Sequence, residues 1–227
     1  MDSIEPERLY DEVGTVSWCR PLLQGDIFTE VELPGFPEGP MMIQVINHPC
    51  AMRKGPNLLP RITVAPVRPG VSITNWEGHL RVMPLPELRD SKNYATEFVD
   101  VTSVSAGALT VDKRIASLSG RGIYVLQQRL IKHYTRLEVD LGTLHQQSAH
   151  TLVEAELQQD WLESVLADSD QGDLAAIEAE IHQFDEWMRA GSPSPQDRLA
   201  RDYEHVDVRR EAREAARKRS AVLQASD

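Results

Sequence analysis

From Gly25 onward, apolar and polar positions alternate along the chain. Ile27, Thr29, Val31 and Leu33 interleave with Phe28, Glu30 and Glu32, the two-residue period of a strand. Pro34-Gly35-Phe36-Pro37-Glu38-Gly39-Pro40 follows. Prolines and glycines at this density cannot lie inside a sheet, so the segment reads as a loop. The apolar run Met41 to Ile46 predicts a buried strand ended by His48-Pro49, and Arg61 to Val67 predicts another, stopped by Pro69-Gly70. Leu80 to Leu85, Phe98 to Val104 and Ala108 to Val111 are further strand candidates, while residues 1–20 carry little pattern. Short strands separated by turns point to a small barrel.

The period then changes. Ile123, Leu126, Leu130, Tyr134 and Leu137 recur at three or four residues, one face of a helix. A second helix is predicted over Ser148 to Ala167, with Val153, Leu157, Trp161 and Val165 on its apolar side. A third begins near Asp170 and carries Leu174, Ile177, Ile181 and Phe184; Gly191 supplies a left-handed stop with Pro193 just beyond. Gly191-Ser192-Pro193-Ser194-Pro195 is the clearest boundary, and Ser194 is placed to cap a fourth helix. That helix has a short stripe of Leu199, Tyr203 and Val206, then arginines, Lys218 and alanines, a pattern polar all round.

Charge adds a feature that periodicity does not show. The 227-residue chain has a formal charge of −11, carried by residues 137–188, which hold 13 Asp/Glu and no Lys or Arg. Residues 1–136 balance at 15 of each sign, and residues 189–227 hold 9 Lys/Arg against 7 Asp/Glu. The acidic block repels phosphates and attracts basic surfaces; the simpler reading is the solvated face of ordinary helices. Apolar residues at 41% and charged residues at 26% argue against disorder. No apolar run approaches the roughly 18 residues that cross a bilayer, and the acidic start Met1-Asp2-Ser3-Ile4-Glu5 is unlike a signal peptide. A soluble cytoplasmic protein without membrane contact is expected. Two cysteines, Cys19 and Cys50, are too few for a disulfide framework or a structural zinc cage.

Three stretches carry a family likeness. Gln24-Gly25-Asp26-Ile27-Phe28, then Ile62-Thr63-Val64-Ala65-Pro66-Val67, then Leu109 to Ser119 with Val125 to Leu130, resemble in order and spacing the PemK/MazF toxin endoribonucleases, over about half the chain. The resemblance implies an α+β protein: a small SH3-like β-barrel followed by an α-helical C-terminal extension. It also implies metal-independent RNA cleavage without a cofactor, through the neighbouring 2′-hydroxyl, with RNA as partner and a homodimer as candidate assembly. The sequence departs from the family at its chemical positions. The loop ends Glu38-Gly39-Pro40 where Arg-Pro is expected, Arg68-Pro69 stands in place of Thr-Ser, and Phe98 falls near the later Arg while Asp100 remains. A phenylalanine neither transfers a proton nor neutralises phosphate, so altered or lost chemistry is expected.

A relocated site is conceivable from His48, Arg53, Arg68 and Asp100, with a neutral imidazole as base and arginines as phosphate clamps. Arg53, Lys54, Arg61, Arg68 and Arg81 form the candidate nucleic-acid surface; its rival is a set of solubilising loop cations. His48 and Cys50 would share one face of an extended strand, as a Cys–His pair requires, although a cysteine is more often simple packing. His145 and His150 lack helical ligand spacing, and Gly120-Arg121-Gly122 lacks the Lys-Ser/Thr of a P-loop. No metal site is expected. The division predicted is 1–145, barrel with closing helix; 146–190, acidic helical hairpin; and 196–224, a basic amphipathic helix after the linker. Two functions stand open: an RNA-acting protein masked in cis by its acidic helices, and a non-enzymatic module docking a protein partner through its C-terminal helices.

Overall fold

The computed structural model describes residues 9–70, 81–167 and 173–225. The fold is mixed α+β, with a nearly closed antiparallel barrel-like sheet and C-terminal helices. The chain divides into two compact units, residues 1–16 with 22–146, and residues 17–21 with 147–227.

The first unit holds β1 (Tyr10–Val13), β2 (Ile27–Val31), β3 (Met41–Val45), a one-turn helix α1 (Pro49–Met52), a small hairpin of β4 (Arg53–Lys54) and β5 (Asn57–Leu58), and β6 (Arg61–Pro69). β7 (Val82–Arg89), β8 (Lys92–Glu97), β9 (Thr102–Ser105), β10 (Arg114–Leu118) and helix α2 (Gly120–Thr135) complete it. The main sheet runs β1-β10-β2-β3-β6-β8-β7, and β9 also pairs with β6. Every pairing is antiparallel. Pro84 and Pro86 lie on β7, at the end of the sheet path, where a missing N–H costs no ladder bond. Phe28, Val31, Ile43, Val45, Met52, Ile62, Val64 and Val104 form an apolar core.

Particular side chains set the joints. Gly25 has φ +92°, and a Cβ there would stand 2.5 Å from Leu118 Cδ1. The adjacent Asp26 is fully buried and accepts from the Leu23 amide at 3.0 Å, Arg114 Nη1 at 3.1 Å and Ser117 Oγ at 2.5 Å. A buried carboxylate is tolerable only with such partners. Ser119 caps α2 by accepting from the Gly122 amide at 3.0 Å, and Gly122 is small because a Cβ would lie 2.2 Å from the Leu9 carbonyl oxygen.

Several expected elements take a different form. Phe98 to Asp100 is a 3-10 turn, not strand, because the Phe98 amide turns aside to the Arg81 carbonyl at 2.9 Å. Ala108 to Val111 is likewise no strand: 3-10 turns over Ala106–Ala108 and Val111–Lys113 close locally, Leu109 N to Ala106 O at 3.0 Å and Lys113 N to Thr110 O at 3.1 Å. The pattern missed β1 and β8. Lys92-Asn93-Tyr94-Ala95-Thr96-Glu97 is polar, yet Thr96 is fully buried and donates to Gln44 Oε1 at 2.7 Å. Leu80 and the suggested helix start at Asp170 lie outside the described residues.

The second unit is helical. Helix α3 (Leu141–Val165) starts earlier than Ser148 because the Asp140 carboxylate accepts from the Thr143 amide at 2.9 Å. The unit boundary, between Gln146 and Gln147, falls inside it. Helix α4 (Leu174–Arg189) is capped by Asp173. Ser194 and Asp197 form a reciprocal capping box for α5 (Pro195–Arg201). The chain then turns at Asp202, whose Oδ1 accepts from the Glu204 amide at 3.1 Å, before α6 (Val206–Gln224). The single helix expected over 196–224 is therefore two. Nor is α6 polar all round: Val208, Ala212 and Ala216 lie four apart and are buried with Leu157, Trp161, Phe184 and Met188. Buried Glu180 accepts from Arg219 Nη2 at 2.7 Å and Nε at 3.0 Å, and from Trp161 Nε1 at 3.4 Å.

Candidate functional site

Strand β6 distributes the candidate cations. Arg61 opens it and Arg68 nearly closes it, so seven residues, about 23 Å of extended chain, separate them. Around the Arg61 end, Ile46 N donates to the Thr63 carbonyl at 2.9 Å, and Asn47 Oδ1 accepts from the Thr63 amide. His48 follows directly. Its Nδ1 accepts from the Cys50 amide at 3.3 Å and caps α1. The segment His48-Pro49-Cys50 is therefore a helix start rather than the extended strand on which the shared-face Cys–His reading rested. Cys50 is exposed.

Arg53 leads from α1 into the small hairpin. Its guanidinium donates to the carbonyls of Leu22 at 3.3 Å and Pro56 at 3.4 Å. Lys54 is exposed on the same hairpin. Arg61 is exposed and grips one residue twice, Nε to Ser103 Oγ at 3.1 Å and Nη2 to the Ser103 carbonyl at 3.0 Å. Among the described residues, neither Lys54 nor Arg61 has a carboxylate partner.

The far end of β6 has a different electrostatic character. Arg68 lies between two carboxylates, Glu97 at 3.0 Å and Glu38 at 3.5 Å. Arg81 is exposed, and Asp100 ends the half-buried 3-10 turn after β8. Phe98, near the position of the family's later arginine, is 1% exposed, with its ring centroid 5.6 Å from that of His133 on α2. This residue is part of the interior. His48 and Arg53 thus group near the start of β6, whereas Arg68 and Glu97 group near its end.

One signal of this arrangement went unread in the sequence. From Gly39 to Trp76 the chain contains Arg53, Lys54, Arg61 and Arg68 and no Asp or Glu. Averaging charge over residues 1–136 hides that stretch. Two other features were legible only as motifs: Gly25-Asp26 and Arg114 prove to be a structural joint, with Arg114 and Asp26 buried together.

Other candidate chemistry is sparse. Cys19 is buried, and burial with Glu163 nearby pushes its thiol up to about 12, which disfavours the thiolate. His145 Nδ1 stands 3.2 Å from the Tyr124 hydroxyl. Among the described residues no group of three His, Cys, Asp or Glu converges to hold a metal, and no helix is long and apolar enough to cross a membrane. No protein-family model matches the chain, and no curated protein matches it.

Proposed function

We propose that this is a PemK/MazF-like protein whose SH3-like barrel binds RNA without cutting it. The observation that carries the reading is the carboxylate-free stretch 39–76, with Lys54 and Arg61 exposed at one end of β6 and engaged with no acidic group among the described residues. A polyanion gains most from cations that the protein has not already neutralised. Loss of cleavage is supported by the positions where the family keeps its chemistry. Phe98 is interior, and Arg68 is balanced by Glu97 and Glu38. A cation so balanced has little charge left for a developing phosphorane.

Fluorescence anisotropy of the full chain with a labelled single-stranded RNA of mixed sequence tests this. Binding is expected at low salt, weakening with a log–log slope of about −0.7 for each phosphate contact. The double substitution Lys54→Glu with Arg61→Glu is expected to weaken it at least tenfold, about 1.4 kcal/mol. The same RNA should remain intact on a gel. No binding in roughly 25 mM salt, where phosphate contacts are strongest, would end the RNA reading; cleavage would end the claim of lost chemistry. A second reading, a non-enzymatic module working through the C-terminal helices, is supported by a charged groove in the helical unit.

A further inference from the structure

Helices α3 and α6 face each other across a ladder of side chains spaced one turn apart. The first rung is closed, Glu156 to Arg209 at 3.0 Å. One turn along, Asp160 faces Arg213 without an ion pair, and a turn further Ser164 and Arg217 stand opposite. Between these two open rungs lies a cavity of about 360 Å³, within the size range of small-molecule sites. Its floor is apolar and buried, made by Leu157, Trp161, Ala212 and Ala216. The two alanines leave the space that longer side chains would fill.

The arginines of α6 are not alike. Arg209, Arg210 and Arg219 hold Glu156, Asp207 and Glu180 at 3.0, 2.6 and 2.7 Å. Arg213 and Arg217, one turn apart over the cavity, form no ion pair with a carboxylate among the described residues. On the opposite rim, Glu163 is fixed in place by Ser17 Oγ at 3.1 Å and Gln159 Nε2 at 2.9 Å. One rim is therefore cationic, the other anionic, and the floor between them is greasy.

We propose that this groove binds a small zwitterion with an apolar body, of the class of a short apolar peptide with both termini free. The carboxylate is held by Arg213 and Arg217, the ammonium by Asp160 and Glu163, and the side chains rest on Leu157 and Trp161. A simple anion would meet the acidic rim and a simple cation the arginines, so only a ligand bearing both charges satisfies both walls. Packed helices stand about 8–10 Å apart, which favours a dipeptide, roughly 7 Å long when extended, over a single amino acid. Burial raises the Asp160 carboxyl above its ordinary range against the pull of Arg213 and Arg209; a ligand ammonium would relieve that cost.

The test uses the full chain and three probes: leucyl-leucine, N-acetyl-leucyl-leucine and leucyl-leucine amide, followed by saturation-transfer NMR and calorimetry. The free dipeptide is expected to saturate below about 10 mM, and each cap to weaken binding at least tenfold, the value of one lost ion pair of about 1.4 kcal/mol. Arg213→Gln with Arg217→Gln should abolish binding and leave the melting temperature unchanged, because both side chains are exposed. Asp160→Asn should reduce affinity for the free dipeptide and for its amide, which both carry the ammonium, and leave that of the N-acetyl probe unchanged. The proposal is overturned if the free dipeptide does not saturate, if a capped probe binds equally well, or if the double arginine variant binds as the parent does.

Discussion

The Tyr10 hydroxyl donates a hydrogen bond to the Pro86 carbonyl oxygen at 3.0 Å. Tyr10 begins β1 and Pro86 lies on β7, the two ends of the sheet path. A side chain thus bridges the gap that backbone pairing leaves, to a carbonyl beside a proline-rich edge. Burial, with Glu87 nearby, holds this hydroxyl well above its usual range, so it remains a donor at any physiological pH. Tyr10→Phe keeps the ring and loses the bond. Urea denaturation should show a loss of about 0.5–1.5 kcal/mol, and amide exchange should quicken in β1 before β3. Equal protection in both variants would mean that the bridge contributes nothing to closure.

The Asp26–Arg114 pair predicts an asymmetric response. Both side chains are almost wholly buried, 0% and 3% exposed. Removing the carboxylate alone, as in Asp26→Ala, strands a buried guanidinium, and a cost of about 3–5 kcal/mol is expected. The double replacement Asp26→Leu with Arg114→Met should recover much of it, since no charge is then left in the interior. A double variant as unstable as the single one, measured by chemical denaturation, would show that the pair does more than satisfy itself.

Glu154 supplies a pH prediction. Burial raises its carboxyl above the ordinary range, while Gln196 Nε2, at 3.3 Å from Oε2 and 3.5 Å from Oε1, partly offsets this. A raised folded-state value means that the fold favours the protonated form. The stabilising contribution is therefore complete below the ordinary carboxylate value and is lost as pH rises through the raised one. Glu154→Gln should raise the melting temperature at pH 7, with the gain shrinking toward pH 4. A gain that does not change with pH would refute this linkage.

The two cysteines should separate in a thiol titration. Cys50 is exposed, whereas Cys19 is 1% exposed with its thiol pushed up to about 12. Native protein at pH 8 should react once with an aromatic disulfide reagent, and a second time only after denaturant is added. Two fast thiols would contradict the burial of Cys19 against Trp161 and its neighbours.

Gly25→Ala should be among the most damaging small substitutions in the barrel. It combines a left-handed backbone with a Cβ 2.5 Å from Leu118 Cδ1. In a Leu118→Ala background, which removes the contacts at 2.5 and 2.8 Å and carries its own cavity cost of about 2–5 kcal/mol, Gly25→Ala should add little more than the backbone cost of about 1 kcal/mol, which melting curves of the single and double variants resolve.

Periodicity alone made much of this chain legible. Alternation marked β2, a short apolar run marked β3, the segment Arg61 to Val67 before Pro69-Gly70 marked β6, and the three-to-four spacing marked α2, α3 and α4, because each buries apolar side chains. Ser194 declared the start of α5 through its cap. What the chain order could not show was decided by partners distant in sequence. Polar β8 became a strand because Thr96 finds Gln44. The alanines of α6 became a buried face because α3 and α4 present Leu157, Trp161 and Phe184 to them. The cations near β6 divided into an open group and a neutralised one because Glu97 and Glu38 reach Arg68 and not Arg61. A local pattern records which side of an element avoids water; only the assembled structure decides which charges are left without an opposite.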